Sequence, residues 1–269
     1  MSETIVLVHG LWMTPLSWEH WVERLSSRGH TVLAPAWPGM DRDVASLRAD
    51  TTSYAHLGVT EITDHYDKLI RELDRPPIVM GHSFGGLVTQ LLLDRGLGVA
   101  GVAIHPAAPK GVLIVPPSSL RVASVALRNP ANRHRAQMLT ARQFRYAFGN
   151  TLSEPESQAV YERYAVPGPG LPLFQAASAN FNPKAATKID FHNDARAPLL
   201  ILGGGQDHTV AAASTRANYK LQSKSSAVTE YKEYEDRSHW TCGEPGWEAV
   251  ADHALEWAVA QAAKAAVPH

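Results

Sequence analysis

The run Gly81-His82-Ser83-Phe84-Gly85, extended by Gly86, constrains this chain more than any other feature. An apolar stretch, Ile78-Val79-Met80, precedes it, and an apolar, helix-forming stretch to about Arg95 follows. A strand that becomes a helix over so few residues forces its central residue into strained backbone geometry. Side chains two residues before and two after would collide, which is why glycine stands at both places. The turn lifts the Ser83 hydroxyl clear of the sheet and sets it at a helix N-terminus, where free N–H groups and the helix dipole favour negative charge. The motif therefore points to a nucleophilic serine. A chance match in a chain with 19 glycines would not account for both flanking elements.

Around this turn the chain alternates short apolar runs with amphipathic stretches. Ile5 to Val8 is a continuous apolar run, as in a strand buried on both faces. Trp18, Trp21, Val22 and Leu25 share one helix face that Gly29 stops. Thr31–Ala34 is a second strand, and Ile62, Tyr66, Leu69 and Leu73 mark another helix face. Val99–Ile104 follows the helix after Ser83, and the pattern predicts parallel βαβ units with right-handed crossovers. From about Lys110 to Thr187 the alternation stops. That stretch is Pro-rich and helical, with no strong strand candidate, and carries nine basic and three acidic residues. Its net charge is +6 against −7 for the rest, and the excess is expected to balance the acidic remainder across their interface. Pro198–Leu202 and Val228–Tyr234 resume the sheet, and Trp247, Val250, Ala251, Ala254 and Ala258 describe a closing helix. The Ala-rich tail after Ala258 is expected to fray. The expected fold is α/β: a mostly parallel central sheet with helices on both faces, a core of residues 1–109 and 188–269, and an inserted helical cap at 110–187.

A serine hydroxyl is a poor nucleophile without a base, and the base needs an orienting acid. In this architecture the order along the chain is Ser, acid, His. Gly203-Gly204-Gly205-Gln206-Asp207 puts Asp207 at a strand's C-terminal end, whereas the other acid position, past the fourth strand, holds His105. Of thirteen histidines, His239 lies between the last strand and the last helix, on the loop that reaches the nucleophile. His208 precedes the last strand and is read as a pocket or surface residue. Oxyanion donors are expected at the Phe84 N–H and, from the loop after the first strand, the Leu11 N–H. His9 is expected to brace that loop. Trp12, His105, Tyr146 and Trp240 are candidate substrate contacts, with Trp37 nearby.

His9-Gly10 after the first strand, Gly81–Gly86, Gly205-Gln206-Asp207 and Ser238-His239 together resemble the α/β-hydrolase fold family over nearly the whole chain. The resemblance implies Ser83 as nucleophile, Asp207 as acid, His239 as base and Leu11 and Phe84 as the oxyanion hole. It also implies that 110–187 is the family's helical cap. Because the chain starts at what is usually the third strand, a compact six-stranded parallel sheet is implied, as in the methylesterase and hydroxynitrile lyase branch. Similar proteins that open epoxides or remove halide carry Asp where Ser83 stands, which disfavours those activities.

Composition narrows the reading. Lys+Arg 25 against Asp+Glu 26 gives a net charge of −1, which argues against nucleic acid or an anionic membrane as a global partner. No apolar run approaches the ~20 residues of a membrane span. The first residues lack the basic and apolar regions of a secretory signal, so a cytoplasmic protein is expected. Cys242 is the single cysteine, which excludes an internal disulfide, and no group has metal-ligand spacing. Gly203-Gly204-Gly205 lacks the Lys and Ser/Thr of a phosphate loop. The expectation is a cofactor-free, metal-free serine hydrolase, monomer or homodimer, cleaving a small, mostly apolar carboxylic ester or lactone. The alternatives are a lyase or C–C bond hydrolase with the same triad, or a slow-turnover ligand receptor.

Overall fold

In the computed structural model, which describes residues 2–265, six strands form one fully parallel sheet in the order β2-β1-β3-β4-β7-β8. These are β1 (Thr4–Val8), β2 (Thr31–Leu33), β3 (Ile78–His82), β4 (Ala100–Ile104), β7 (Leu199–Gly204) and β8 (Thr229–Tyr234). The inner four are buried almost throughout, as continuous apolar runs covered on both faces must be. The outer two differ. β8 reads Thr-Glu-Tyr-Lys-Glu-Tyr and exposes Glu230 and Lys232, charges that blunt a free sheet edge.

Helices α1 (Glu19–Ser27) and α10 (Trp247–Ala265) cover one face, packing Trp21, Leu25, Val250, Ala251 and Ala254 onto Ile5, Leu7, Met80 and Val102. The short α2 (Val44–Ala49) and the longer α3 (Val59–Arg71) precede β3, and α4 (Phe84–Asp94) follows it. Ile62, Tyr66 and Ile70 of α3 join Leu87, Val88 and Leu91 of α4 and Val6, Val8 and Val79 in the core of the opposite face. Each such Leu or Ile side chain contributes about 1.5–3 kcal/mol by leaving water. The closing helix does not stop near Ala258: it runs to Ala265, with Gln261 and Ala262 still buried. Alanine is the best helix former, and packing holds this end down. Residues 266–269, the rest of the expected fraying tail, lie outside the described residues.

Between β4 and β7 the chain forms α5 (Pro117–Leu127), α6 (Ala141–Ala147), α7 (Glu154–Tyr164) and α8 (Leu171–Ser178), and β7 is followed by α9 (Ala212–Gln222). This stretch is not purely helical. Two-residue strands β5 (Ala136–Gln137) and β6 (Gly168–Pro169) pair antiparallel, a ribbon too short to leave a periodic signal. It is anchored to the loop after β1: Trp12 Nε1 donates to the Gln137 carbonyl (2.9 Å), and the Val166 amide donates to the Trp12 carbonyl (2.9 Å).

The expected charge balance does not form. Among the described residues, Arg163 is the one basic side chain of 110–187 that pairs with an acid, Glu19 of α1. Arg121, Arg128, Arg133, Arg135, Arg142 and Arg145 are exposed. Solvent accommodates those charges at less cost than burial against carboxylates would.

The sheet topology fixes where chemistry can occur. From β1 the chain moves outward to β2, then returns past β1 to β3 and continues the other way. The carboxyl ends of β1 and β3, where strand order reverses, form the crevice in which such sheets bind ligands. Ser83 follows the last residue of β3.

Candidate active site

Ser83 has φ 57° and ψ −120°, a left-handed conformation that an L-residue holds only when its surroundings impose it. The surroundings do. Its N–H donates to the Ile104 carbonyl (2.9 Å), and its carbonyl accepts from Leu87 and Ala107. A Cβ on Gly81 would fall 2.1 Å from the Gly85 carbonyl oxygen, and one on Gly85 2.0 Å from that of Val8. The turn closes only with glycine at both positions.

His239 lies on the loop between β8 and α10, and its Nε2 is 3.0 Å from Ser83 Oγ. Its Nδ1 is 2.6 Å from Asp207 Oδ2. Asp207 sits in the turn after β7, where its Oδ1 accepts the N–H groups of Thr209 (2.7 Å) and Val210 (2.8 Å). An ionised carboxylate only accepts, so Nδ1 of His239 carries the proton and Nε2 is left to accept from the serine hydroxyl. Burial pushes the Asp207 carboxyl up, but the charge of His239 and the N–H donors of His105 and His239 outweigh it, holding the group well below the usual carboxylate range. Both side chains of this pair are fully buried.

The loop after β1 packs directly on the serine. A Cβ on Gly10 would lie 2.9 Å from Ser83 Cβ. His9 braces this loop: its Nε2 accepts the Trp37 N–H (3.2 Å), its Nδ1 donates to the Gly10 carbonyl (3.0 Å), and its ring stacks on Trp37. Burial lowers its pKa to about 4, only partly countered by the Gly10 bond, so it is neutral at pH 7. Phe84 is the first residue of α4, where backbone N–H groups lack intrahelical acceptors. No hydrogen bond from the Phe84 or Leu11 amide is made to another described residue.

A cavity of about 280 Å³ opens on Ser83 and Phe84. Its walls come from the chain leaving β4 (Val112, Ile114), from α5 (Leu120, Val122) and from α8 (Leu173, Ala176), and no charged side chain lines it. A wider, shallower cleft of about 860 Å³ between Met40–Val44 and α7 contains none of this chemistry.

Of the expected substrate contacts, Trp12 lines the cavity and the other three do not. His105 is fully buried beneath it, with Nδ1 2.8 Å from Asp207 Oδ2. Tyr146 turns away, its ring under the Arg121 guanidinium (3.9 Å) and against His208. Trp240 is buried against Tyr164, and its N–H donates to the Phe148 carbonyl. These rings are held by partners outside the cavity, Tyr146 by Arg121 and His208, and Trp240 by Tyr164. His208 Nδ1 bonds the Tyr146 carbonyl and makes no bond to Ser83.

Two contributors have little sequence signal. Glu244 is buried and accepts from the Ser238 N–H (2.9 Å), Ser238 Oγ (2.7 Å) and Thr151 Oγ1 (2.6 Å), pinning the residue before His239. The cavity wall at Val112, Ile114 and Val115 belongs to an apolar run, Val112–Val115, that no strand claims.

His105, Asp207 and His239 place ligand atoms within 4.8 Å of one another. The N···O separations of 2.6 and 2.8 Å are too close for a shared ion, since tetrahedral ligands on zinc lie about 3.3 Å apart. The spacing suits shared protons. Cys242 is buried, and burial beside Glu244 pushes its thiol well above the ordinary value, away from nucleophile chemistry.

Residues 5–253 match the model of the alpha/beta hydrolase family. No curated protein matches the chain. Among solved structures, a monoacylglycerol lipase from Paleococcus ferrophilus is similar (22% identity, TM-score 0.64, covering 96% of this chain and 94% of that one). So is an extracellular α/β-hydrolase from a Paenibacillus species (22%, TM-score 0.69, 95% and 98%). An Arabidopsis methylesterase shares 13% identity at TM-score 0.63 over 95% and 98%. At these identities the solved structures speak for the fold, and the family match, which spans nearly all of the chain, speaks for descent: this protein is a member of the alpha/beta hydrolase family.

Proposed function

We propose that the protein hydrolyses a small, uncharged, mostly apolar carboxylic ester or lactone through an acyl-enzyme on Ser83. The observation that carries this reading is the unbroken chain from Ser83 Oγ to His239 to Asp207, opening on a cavity without a charged wall.

His239 Nε2 takes the Ser83 proton as Oγ attacks the carbonyl carbon. The oxyanion forms against the Leu11 N–H of the loop after β1 and the Phe84 N–H at the head of α4; one such donor typically lowers the barrier by ~3 kcal/mol. The C–O bond to the alcohol then breaks, and the departing oxygen takes the proton from His239. Water repeats the sequence: it gives a proton to His239, attacks the acyl carbon, and the acid leaves as the proton returns to Ser83 Oγ. Asp207 stays ionised throughout and stabilises the imidazolium.

At about 280 Å³ the cavity lies just below the usual range for small-molecule sites, which favours short acyl or alcohol groups. Residues 110–187 are read here as a cap, because α5 and α8 supply walls of the cavity while the loops of the sheet supply the reacting groups. The test is a panel of p-nitrophenyl esters of increasing acyl length, with Ser83→Ala as control. Turnover falling off beyond short chains and abolished in Ser83→Ala is the expected result. Turnover that survives Ser83→Ala, or carbon–carbon cleavage without an acyl-enzyme, would redraw the reaction.

A further inference from the structure

Asp207 has a second imidazole that the triad does not use. We infer that His105 is a positioning residue which, by donating to the same carboxylate oxygen as His239, locks Asp207 in plane and sets how strongly it holds the His239 imidazolium. This rests on the reading of Ser83, His239 and Asp207 as the catalytic set.

His105 follows the last residue of β4, and its N–H continues the ladder to the Leu202 carbonyl (2.9 Å). There the backbone turns to φ 44°, a left-handed conformation rare for a residue with a side chain. That turn aims the ring under β7, at a position shaped for it: a Cβ on Gly204 would come within 2.3 Å of His105 Cε1. The ring is 0% exposed, and its Nδ1 lies 2.8 Å from Asp207 Oδ2, the oxygen that faces His239 Nδ1 at 2.6 Å. With Asp207 ionised, both Nδ1 atoms carry protons. His105 Nε2 is then a buried lone pair with no partner, so the ring makes this one polar contact alone.

Each carboxylate oxygen of Asp207 therefore receives two donors: Thr209 and Val210 N–H on Oδ1, and two imidazole N–H groups on Oδ2. A carboxylate so saturated cannot rotate away from His239. Its charge is also shared, so it grips the imidazolium less tightly than it would with one imidazole. Among the described residues, His82 at the end of β3 is a further titratable group facing the cluster, kept neutral by burial and by its two histidine neighbours. His105 does not line the cavity, so it acts through Asp207 and not on substrate.

The test compares His105→Asn, whose amide N–H stands near the Nδ1 position, with His105→Phe, which fills the space and donates nothing. His105→Phe is expected to lower kcat by about 10- to 100-fold, the range typical when an outer-shell partner is lost, with KM unchanged. The acidic limb of its kcat/KM profile should move to higher pH by about one unit, as Asp207 grips the imidazolium alone. His105→Asn should stay within about threefold of wild type, the margin one retained neutral hydrogen bond leaves. Should His105→Phe not fold, His105→Gln, whose amide overreaches Asp207, takes its place. Independently of turnover, the proton NMR spectrum of the wild type should show two far-downfield imidazole N–H resonances, and each variant one. Phe and Gln variants with wild-type kcat and an unmoved acidic limb would overturn the assignment, as would a wild type with a single such resonance. If Ser83→Ala retains turnover, the reading of the catalytic set fails instead, while the NMR count still reports whether His105 donates to Asp207.

Discussion

Beneath Ser83 the protein is polar, its buried groups gathered around the hydrogen bonds to Asp207; above it lies a mostly apolar cavity that no charged side chain lines. The floor consists of His82, His105, Asp207 and His239, all buried, supplied by the ends of β3, β4, β7 and β8. The roof is mostly aliphatic, from α5, α8 and the segment leaving β4, with Ser119 and Asn180 among the few polar side chains. The floor is built on the sheet, whose strands are locked by register, and a buried polar group there must find its partner or cost stability. The roof is built on helices and loops whose side chains need only fill space. One region is under exact hydrogen-bond constraint and the other under volume constraint, so chemistry and selectivity should be separable by mutation.

The largest effects should come from breaking the floor. His239→Ala removes the base for both steps and should lower kcat by about 10⁶-fold, leaving the residual rate of the oxyanion hole and binding. Asp207→Asn should cost about 10⁴-fold by favouring the wrong imidazole tautomer. Steady-state and single-turnover kinetics check both; near-full activity in Asp207→Asn would remove it from the role of acid.

The buried histidines around the site should also answer to pH through folding. Burial keeps His9 neutral in the folded protein down to about 4 and lowers His82 well below its ordinary value. The unfolded chain takes up those protons near 6.5, so it binds more of them as pH falls. Stability is fully present above about 6.5 and drains away toward pH 4, by about 3 kcal/mol from His9 alone. Asp207 is linked in the same direction, since its folded-state carboxyl is also depressed, but its contribution is lost only below about 3.9, outside this window. Urea denaturation at pH 7 and pH 5 should show the midpoint falling on acidification; a flat profile would mean that His9 and His82 are solvated.

A smaller loss, about 1–3 kcal/mol of stability, is expected for Glu244→Ala, which leaves the Ser238 N–H and hydroxyl without their buried acceptor. Because Ser238 precedes His239, kcat should fall with it. The roof should behave differently: Val122→Ala or Leu173→Ala should change the ranking of esters in kcat/KM by ~1–3 kcal/mol while Ser83 stays reactive. Tyr146→Phe, outside the cavity, should leave that ranking unchanged. A ranking that moves with Tyr146 and not with Leu173 would place the selecting surface elsewhere.

The same contrast decides what a reader of the sequence can see. Ser83 and its glycines are consecutive residues in a turn with one steric solution, so the elbow is legible at once. Asp207 and His239 are legible from chain order, because each sits just past a strand and the strands are apolar runs. His105 was visible at a strand end, yet its bond to Asp207 depends on a left-handed backbone that no local pattern announces. The roof is the least legible part. Val112–Val115, Leu120 and Ala176 come from irregular or Ala-rich stretches whose facing partners are far away in sequence, and Tyr146 looked more inviting only because its own packing was hidden.

The central claim, an acyl-enzyme on Ser83, is tested most directly by intact-mass and peptide-mapping analysis after treatment with a fluorophosphonate. The account predicts a single adduct on Ser83, lost together with turnover in Ser83→Ala. Turnover accompanied by an adduct on Cys242, or by no adduct at all, would contradict it.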